Sequence, residues 1–156
     1  MTRPVHLVAC VSQKRPEPAR ARDLYQSDWF KKARAYVAAQ GGRWFILSAH
    51  YGLVSPGRMI APYDVTLATM PAAERRAWGD RVTAQLAEQI GPRTPVVMLA
   101  GRHYRDPLAA WAGSRARVPM EGLGIGQQKA WLAAQIAQIE ERAAMAAQLD
   151  LFEVLP

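Results

Sequence analysis

Three short stretches hold most of the side chains able to do chemistry. Cys10, Ser12 and Lys14, with Arg15 beside them, set a thiol, a hydroxyl and two cations close together. Such a group binds phosphate through its cations, or offers a desolvated Lys14 as a nucleophile. The plainer reading makes Cys10 a small core residue and Lys14 a solvated cation. Ser48, His50, Tyr51 and Gly52, then Tyr63 and Asp64, crowd two phenols, an imidazole and a carboxylate into 17 positions. The rings suit a pocket that sandwiches a flat ligand, and His50 and Asp64 are its candidates for proton transfer and charge stabilisation. As a simple turn, the same stretch uses Gly52 for its dihedrals, packs both tyrosines and lets Asp64 cap a backbone amide. Gly101, Arg102, His103 and Tyr104 repeat the theme of glycine, cation, imidazole and ring. Their alternative is a helix start with exposed charges.

These stretches follow the elements that would carry them. VHLVACV at 5–11, RWFILSA at 43–49 and PVVMLA at 95–100 are nearly continuous apolar runs, the pattern of strands covered on both faces. Helical segments are predicted over 27–40, ending in Gly41-Gly42, and over 71–90, ending in Gly91-Pro92. A further helix is expected after Tyr104, and a long one over 126–148 with Trp131, Leu132, Gln135, Ile136 and Ile139 along one stripe. The alternation predicts an α/β fold in three layers: a mostly parallel sheet, helices on both faces, a long C-terminal helix and a mobile tail. Ligands of such sheets bind beyond the carboxyl ends of the strands, where the three reactive stretches fall. Glu121 to Gly126 carries three glycines before the long helix, either a loop that lets backbone approach a ligand or a flexible turn.

At 156 residues and half apolar, the chain suits one domain with a continuous core. We expect that domain over 1–147. A lone cysteine excludes an internal disulfide, and no Cys/His spacing marks a metal site, so neither metal nor cofactor is implied and a reducing cytoplasm fits. No apolar run reaches signal-peptide or membrane-span length, so no membrane partner is expected. The net charge of +7, mostly from arginine, favours a phosphate-bearing partner. Arg15, Arg58 and Arg102 are the candidates for DNA phosphate contact.

LVACVSQK, FILSAHYGLVSPGRMIAPYDVTL, VVMLAGRHY and VPMEGLGIGQQ together resemble a small domain family of largely unknown function related to the YaaA-like peroxide-stress proteins. Ser48, Tyr51, Gly52 and Leu53, then Pro62 and Tyr63, resemble that superfamily's Ser-x-x-Tyr-Gly-Leu followed by Pro-Tyr. Leu99, Ala100 and Tyr104 resemble its Leu-Ala-Ser-x-x-Tyr pattern, with Gly101 in place of serine. Cys10 and Lys14 are similar to a Cys-Ser-x-x-Lys segment in a domain of archaeosine synthase, which modifies a base of transfer RNA. The resemblance covers residues 5–130 and implies DNA binding, although the chain is much shorter and has no obvious helix-hairpin-helix segment.

The end of the chain, QLDLF over Gln148, Leu149, Asp150, Leu151 and Phe152, resembles the peptide by which bacterial replication and repair proteins bind the sliding clamp. Leu151 and Phe152 would fill an apolar pocket while Gln148 bonds at its rim. In the alternative, the apolar residues fold back onto the core. Residues 148–156 are therefore expected to be a clamp-binding tail on a nucleoid-associated protein.

Together these features predict a DNA-repair enzyme that extrudes a modified or damaged base and cleaves its glycosidic bond. Tyr51 and Tyr63 would hold the base, Asp64 would stabilise the sugar cation or orient water, and His50 would move a proton. Lys14 would clamp phosphate or attack the sugar. Cys10, Ser12, Ser48, Gly52, Gly101 and Tyr104 complete the expected lining. The alternatives are a DNA-binding stress protein without catalysis, and a base-modifying transferase acting on RNA or nucleotides.

Overall fold

The computed structural model describes residues 3–154; residues 1, 2, 155 and 156, at the two ends of the expected domain and tail, lie outside it. In chain order the elements are β1 (Val5–Ala9), β2 (Ala19–Arg20), α1 (Ala21–Leu24), α2 (Asp28–Gln40), β3 (Trp44–Ser48), β4 (Gly52–Val54), β5 (Met59–Ile60), α3 (Ala72–Gln89), β6 (Val96–Leu99), α4 (Arg102–Arg105), α5 (Ala109–Ala112), β7 (Ala116–Arg117) and α6 (Ile125–Val154). The main sheet has the order β4-β3-β1-β6-β7, parallel except for β4, which runs antiparallel to β3. β2 and β5 form a small antiparallel pair apart from it.

Both faces of the central strands are covered, as their unbroken apolar runs require. Val8, Ile46, Val97 and Leu99 meet Phe30, Val37 and Leu132 from α2 and α6 on one face. Leu7, Leu47, Val96 and Met98 meet Trp78, Val82 and Leu86 of α3 on the other. The pleat sends alternate residues of each strand to opposite layers, so every position of β1 is buried. The mostly parallel three-layer α/β fold is the one the alternation of elements predicts.

The helices start and stop for local reasons. Ser27 caps α2 by accepting the Phe30 amide at 3.0 Å, and Gly41, at φ +72°, ends it. The helix expected after Tyr104 starts earlier, at Arg102, and is broken into α4, a 3-10 turn over 106–108 and α5. Pro107 at the start of that turn interrupts the ladder. The long helix runs on through the residues expected to form a tail, as far as Val154.

Gly79 shows how closely α3 packs on this broken segment. A Cβ there would lie 2.7 Å from Pro107 Cβ and 2.8 Å from its carbonyl oxygen, whereas at Gly126 nothing lies within 4 Å. Gly79→Ala is therefore expected to destabilise the protein by roughly 1–3 kcal/mol despite its better helix propensity. Gly126→Ala, in the exposed first turn of α6, is expected to stabilise it by up to about 1 kcal/mol. Thermal unfolding of the two variants checks the pair, and a stabilised Gly79→Ala would contradict the packing.

Candidate functional site

The connection from β1 crosses one face through α2 and returns as β3. The chain then crosses the other face through α3 and returns as β6 on the opposite side of β1. The connections that follow β1 and β6 run to opposite faces of the sheet, so a crevice opens beyond the carboxyl ends of these two adjacent strands. A cavity of about 680 Å³ lies there, lined by Cys10, Ser12 and Gln13 after β1, by Gly101, His103 and Tyr104 after β6, and by Asp28, Trp29, Gln128 and Lys129 from α2 and α6. Its size falls in the range of roughly 300–1,000 Å³ that suits small ligands.

One wall is a set of hydroxyls and a thiol. Cys10 Sγ receives the Ala49 amide at 3.5 Å and shares a hydrogen bond with Tyr104 Oη at 3.3 Å. Behind it, the fully buried Ser48 accepts the Tyr51 amide at 2.9 Å and donates to Tyr63 Oη at 2.8 Å; Tyr63 Oη lies 2.7 Å from Tyr25 Oη. Burial, then the neighbouring Cys10 thiol, pushes the phenols of Tyr25, Tyr63 and Tyr104 well above the usual tyrosine range. At neutral pH these groups are hydrogen-bond donors and not bases.

Asp28 supplies the carboxylate at the cavity. It is the first residue of α2, bonded to Lys32 Nζ at 2.8 Å and 3.6 Å from Lys129 Nζ. The Lys32 hydrogen bond, then the charges of both lysines, hold its carboxyl below the usual range, so it stays ionised. Trp29 forms the floor, with Nε1 donating to Gln128 Oε1 at 2.8 Å.

The expected site residues fall into separate groups. Cys10, Ser12, Gly101 and Tyr104 converge on the cavity. Ser48 and Tyr63 sit behind it, their hydroxyls engaged with each other. Lys14 lies outside the lining: its ammonium rests 4.4 Å from the centre of the Tyr63 ring and donates to the Ser12 carbonyl. His50 stacks on that same ring at 5.4 Å, and Tyr51 meets both edge-on. Tyr51 Oη is held by the backbone of Ala61, so Tyr51 and Tyr63 pack on one another instead of facing each other across a ligand. Asp64 is exposed and outside the cavity lining. Gly52 opens β4 at φ +78°, where a Cβ would press on Gln85 Oε1 at 2.8 Å. Arg15, Arg58 and Arg102 do not converge: Arg15 lines a depression on the outer side of α2, Arg58 stacks on Tyr51 and Arg102 lies by Asp106. Asp28, Trp29, Gln128 and Lys129 went unselected from the sequence, and only the position of Asp28 just after a Ser27 cap marked it; His103 lay in the third reactive stretch without an assigned role.

Residues 5–134 match the model of a family of unknown function, DUF6884. The chain belongs to that family. The match takes in β1 through the first third of α6, and with them the whole lining of the switch-point cavity, which is thus part of the DUF6884 domain. Gln148 to Phe152 lie beyond the match. No curated protein matches the chain.

The buried phenols set a pH dependence. An unfolded tyrosine ionises near about pH 10, while Tyr25, Tyr63 and Tyr104 keep their protons to higher pH in the folded chain. Their contribution is full below the unfolded value and is lost as pH rises above it. Melting temperatures are expected to fall with rising pH in this alkaline window and less steeply in Tyr25→Phe. An equal slope in the variant would refute the assignment for Tyr25.

Proposed function

We propose that the protein acts on DNA, taking an extruded base into the switch-point cavity and cleaving its glycosidic bond, with Asp28 in the role expected of Asp64. The observation that carries this reading is the ionised Asp28 carboxylate in the lining of the same cavity as the neutral Tyr104 phenol. The Asp28 carboxylate would stabilise the positive sugar that develops as the bond breaks, and water would add to that sugar, losing a proton, as the base departs. Tyr104 and His103, which line the same cavity, would donate hydrogen bonds to the departing base. The net charge of +7 supports a DNA partner, as does the resemblance to YaaA-like proteins, and both fit a cytoplasmic, nucleoid-associated setting. Among the described residues no helix is long and apolar enough to cross a membrane.

Incubation with duplexes carrying uracil, hydroxymethyluracil, hypoxanthine or oxidised purines tests the chemistry. Free base and alkali-labile sites are expected from at least one, and Asp28→Asn is expected to slow release by on the order of 10²-fold or more. No release from any duplex, with DNA affinity intact, would leave a DNA-binding protein without catalysis. Borohydride is expected to trap no adduct of Lys14 with DNA, because Lys14 lies over Tyr63 outside the cavity.

The C-terminal segment supports a clamp partner. Leu149, Leu151 and Phe152 are about two-thirds exposed, with relative exposures of 66%, 67% and 68%, so they do not finish the core. Tethering to a clamp that encircles DNA raises the effective concentration of the domain at its substrate without any new contact to the base. Changing Leu151 and Phe152 together to Ala is expected to abolish binding to the sliding clamp while base release from short oligonucleotides continues. Unchanged clamp affinity would refute the motif.

A further inference from the structure

A second depression of about 570 Å³ adjoins the switch-point cavity, walled by Arg75 and Arg76 of α3 and by Arg102, His103 and Asp106. His103 lines both hollows, which makes them neighbours across one side chain. Three guanidiniums here face one carboxylate. Arg102 Nε and Asp106 Oδ2 are 3.8 Å apart, and both side chains are largely exposed, so the pair neutralises little. Arg75 and Arg76 join no ion pair among the described residues.

Arg75 is also held in place. Its Nη1 donates to the Met70 carbonyl at 2.7 Å and the Leu67 carbonyl at 3.4 Å, so less side-chain freedom remains to be lost on binding. Like charges gathered around a concave surface repel one another and raise the local concentration of anions. Guanidinium groups match the oxygens of a phosphate with paired N–H donors.

We propose that Arg75, Arg76, Arg102 and His103 form a subsite for the phosphodiester backbone of a nucleic-acid strand, holding the phosphate beside the nucleotide whose base enters the cavity. This rests on the base-binding reading of that cavity. It adds Arg75 and Arg76 to the strand path and gives Arg102 its neighbours.

The test is the salt dependence of binding to a short, mixed-sequence single-stranded oligonucleotide, followed by fluorescence anisotropy. The full-length protein is compared with Arg76→Gln/Arg102→Gln and with a charge-matched control, Arg93→Gln/Arg117→Gln, both residues of which are exposed and outside this depression. Arg75 is left intact because its carbonyl contacts serve the fold. The site variant is expected to lose on the order of tenfold in affinity, and its slope of log affinity against log salt to become shallower by about 1.4, roughly 0.7 for each phosphate no longer neutralised. The control is expected to change by less than half as much. Equal losses in the two variants, or no loss in the site variant, would overturn the subsite. Base release reports on the cavity alone: if no base is released but the salt slopes differ as expected, the glycosidic chemistry fails and the subsite stands.

Discussion

Ser48 is fully buried at the end of β3, and its polar atoms hold the surrounding segments in register. Its hydroxyl takes the Tyr51 amide and gives its hydrogen to Tyr63, and its carbonyl accepts Trp78 Nε1 at 2.9 Å. One residue thereby ties the turn after β3, the segment around Tyr63 and the helix on the sheet's second face to the central strands. Tyr63 passes the constraint to Tyr25, and Lys14 pairs with Tyr25 across an isolated bridge. The loop after β1, which begins one wall of the cavity, is thus fixed by a chain of contacts starting at Ser48. Leaving any of these buried groups without a partner costs about 1–3 kcal/mol, which is why the motif around Ser48 behaves as one unit.

That unit separates packed residues from cavity-lining ones among residues that look alike in sequence. Tyr51, Tyr63 and His50 pack on one another, and the two tyrosines spend their hydroxyls internally, whereas Tyr104 and Cys10, joined by a hydrogen bond, line the cavity. The topology decides the division. Only β1 and β6 flank the point where the connections change face, so side chains after those strands border the crevice. The segment after β3 lies one strand further out, beside β4.

The fold was legible because its strands alternate with amphipathic segments and because fully covered strands read as unbroken apolar runs. VHLVA, WFILS and VVML become strands within a residue or two of their apolar limits. The cavity was half legible. Cys10, Ser12, Gly101 and Tyr104 follow strands and were found by that rule. Asp28, Trp29, Gln128 and Lys129 arrive from helix starts distant in sequence, and their meeting depends on α2 packing against α6, which periodicity does not reveal. Asp64 drew attention as a carboxylate beside Tyr63 and close to Tyr51 in sequence, but the chain at that point is exposed.

The two halves of α6 differ in what sustains them. Up to Ile139 the helix buries Leu132 completely and packs Trp131, Ile136 and Ile139 against the core. From Glu140 to Glu153 every residue is exposed, so that stretch is helical by local propensity, with Ala143, Ala144, Ala146 and Ala147 supplying it. Such a segment is marginal in water, and the apolar side chains at 149, 151 and 152 gain nothing from the helix beyond its backbone bonds. A partner requiring the segment extended would have to undo only this marginal local structure, and one requiring it helical would find it formed. The switch-point cavity is walled by the first turn of the same helix, at Ile125, Gln128 and Lys129, on the far side of the packed half. The cavity's geometry is therefore set by the core and not by the exposed end of the helix.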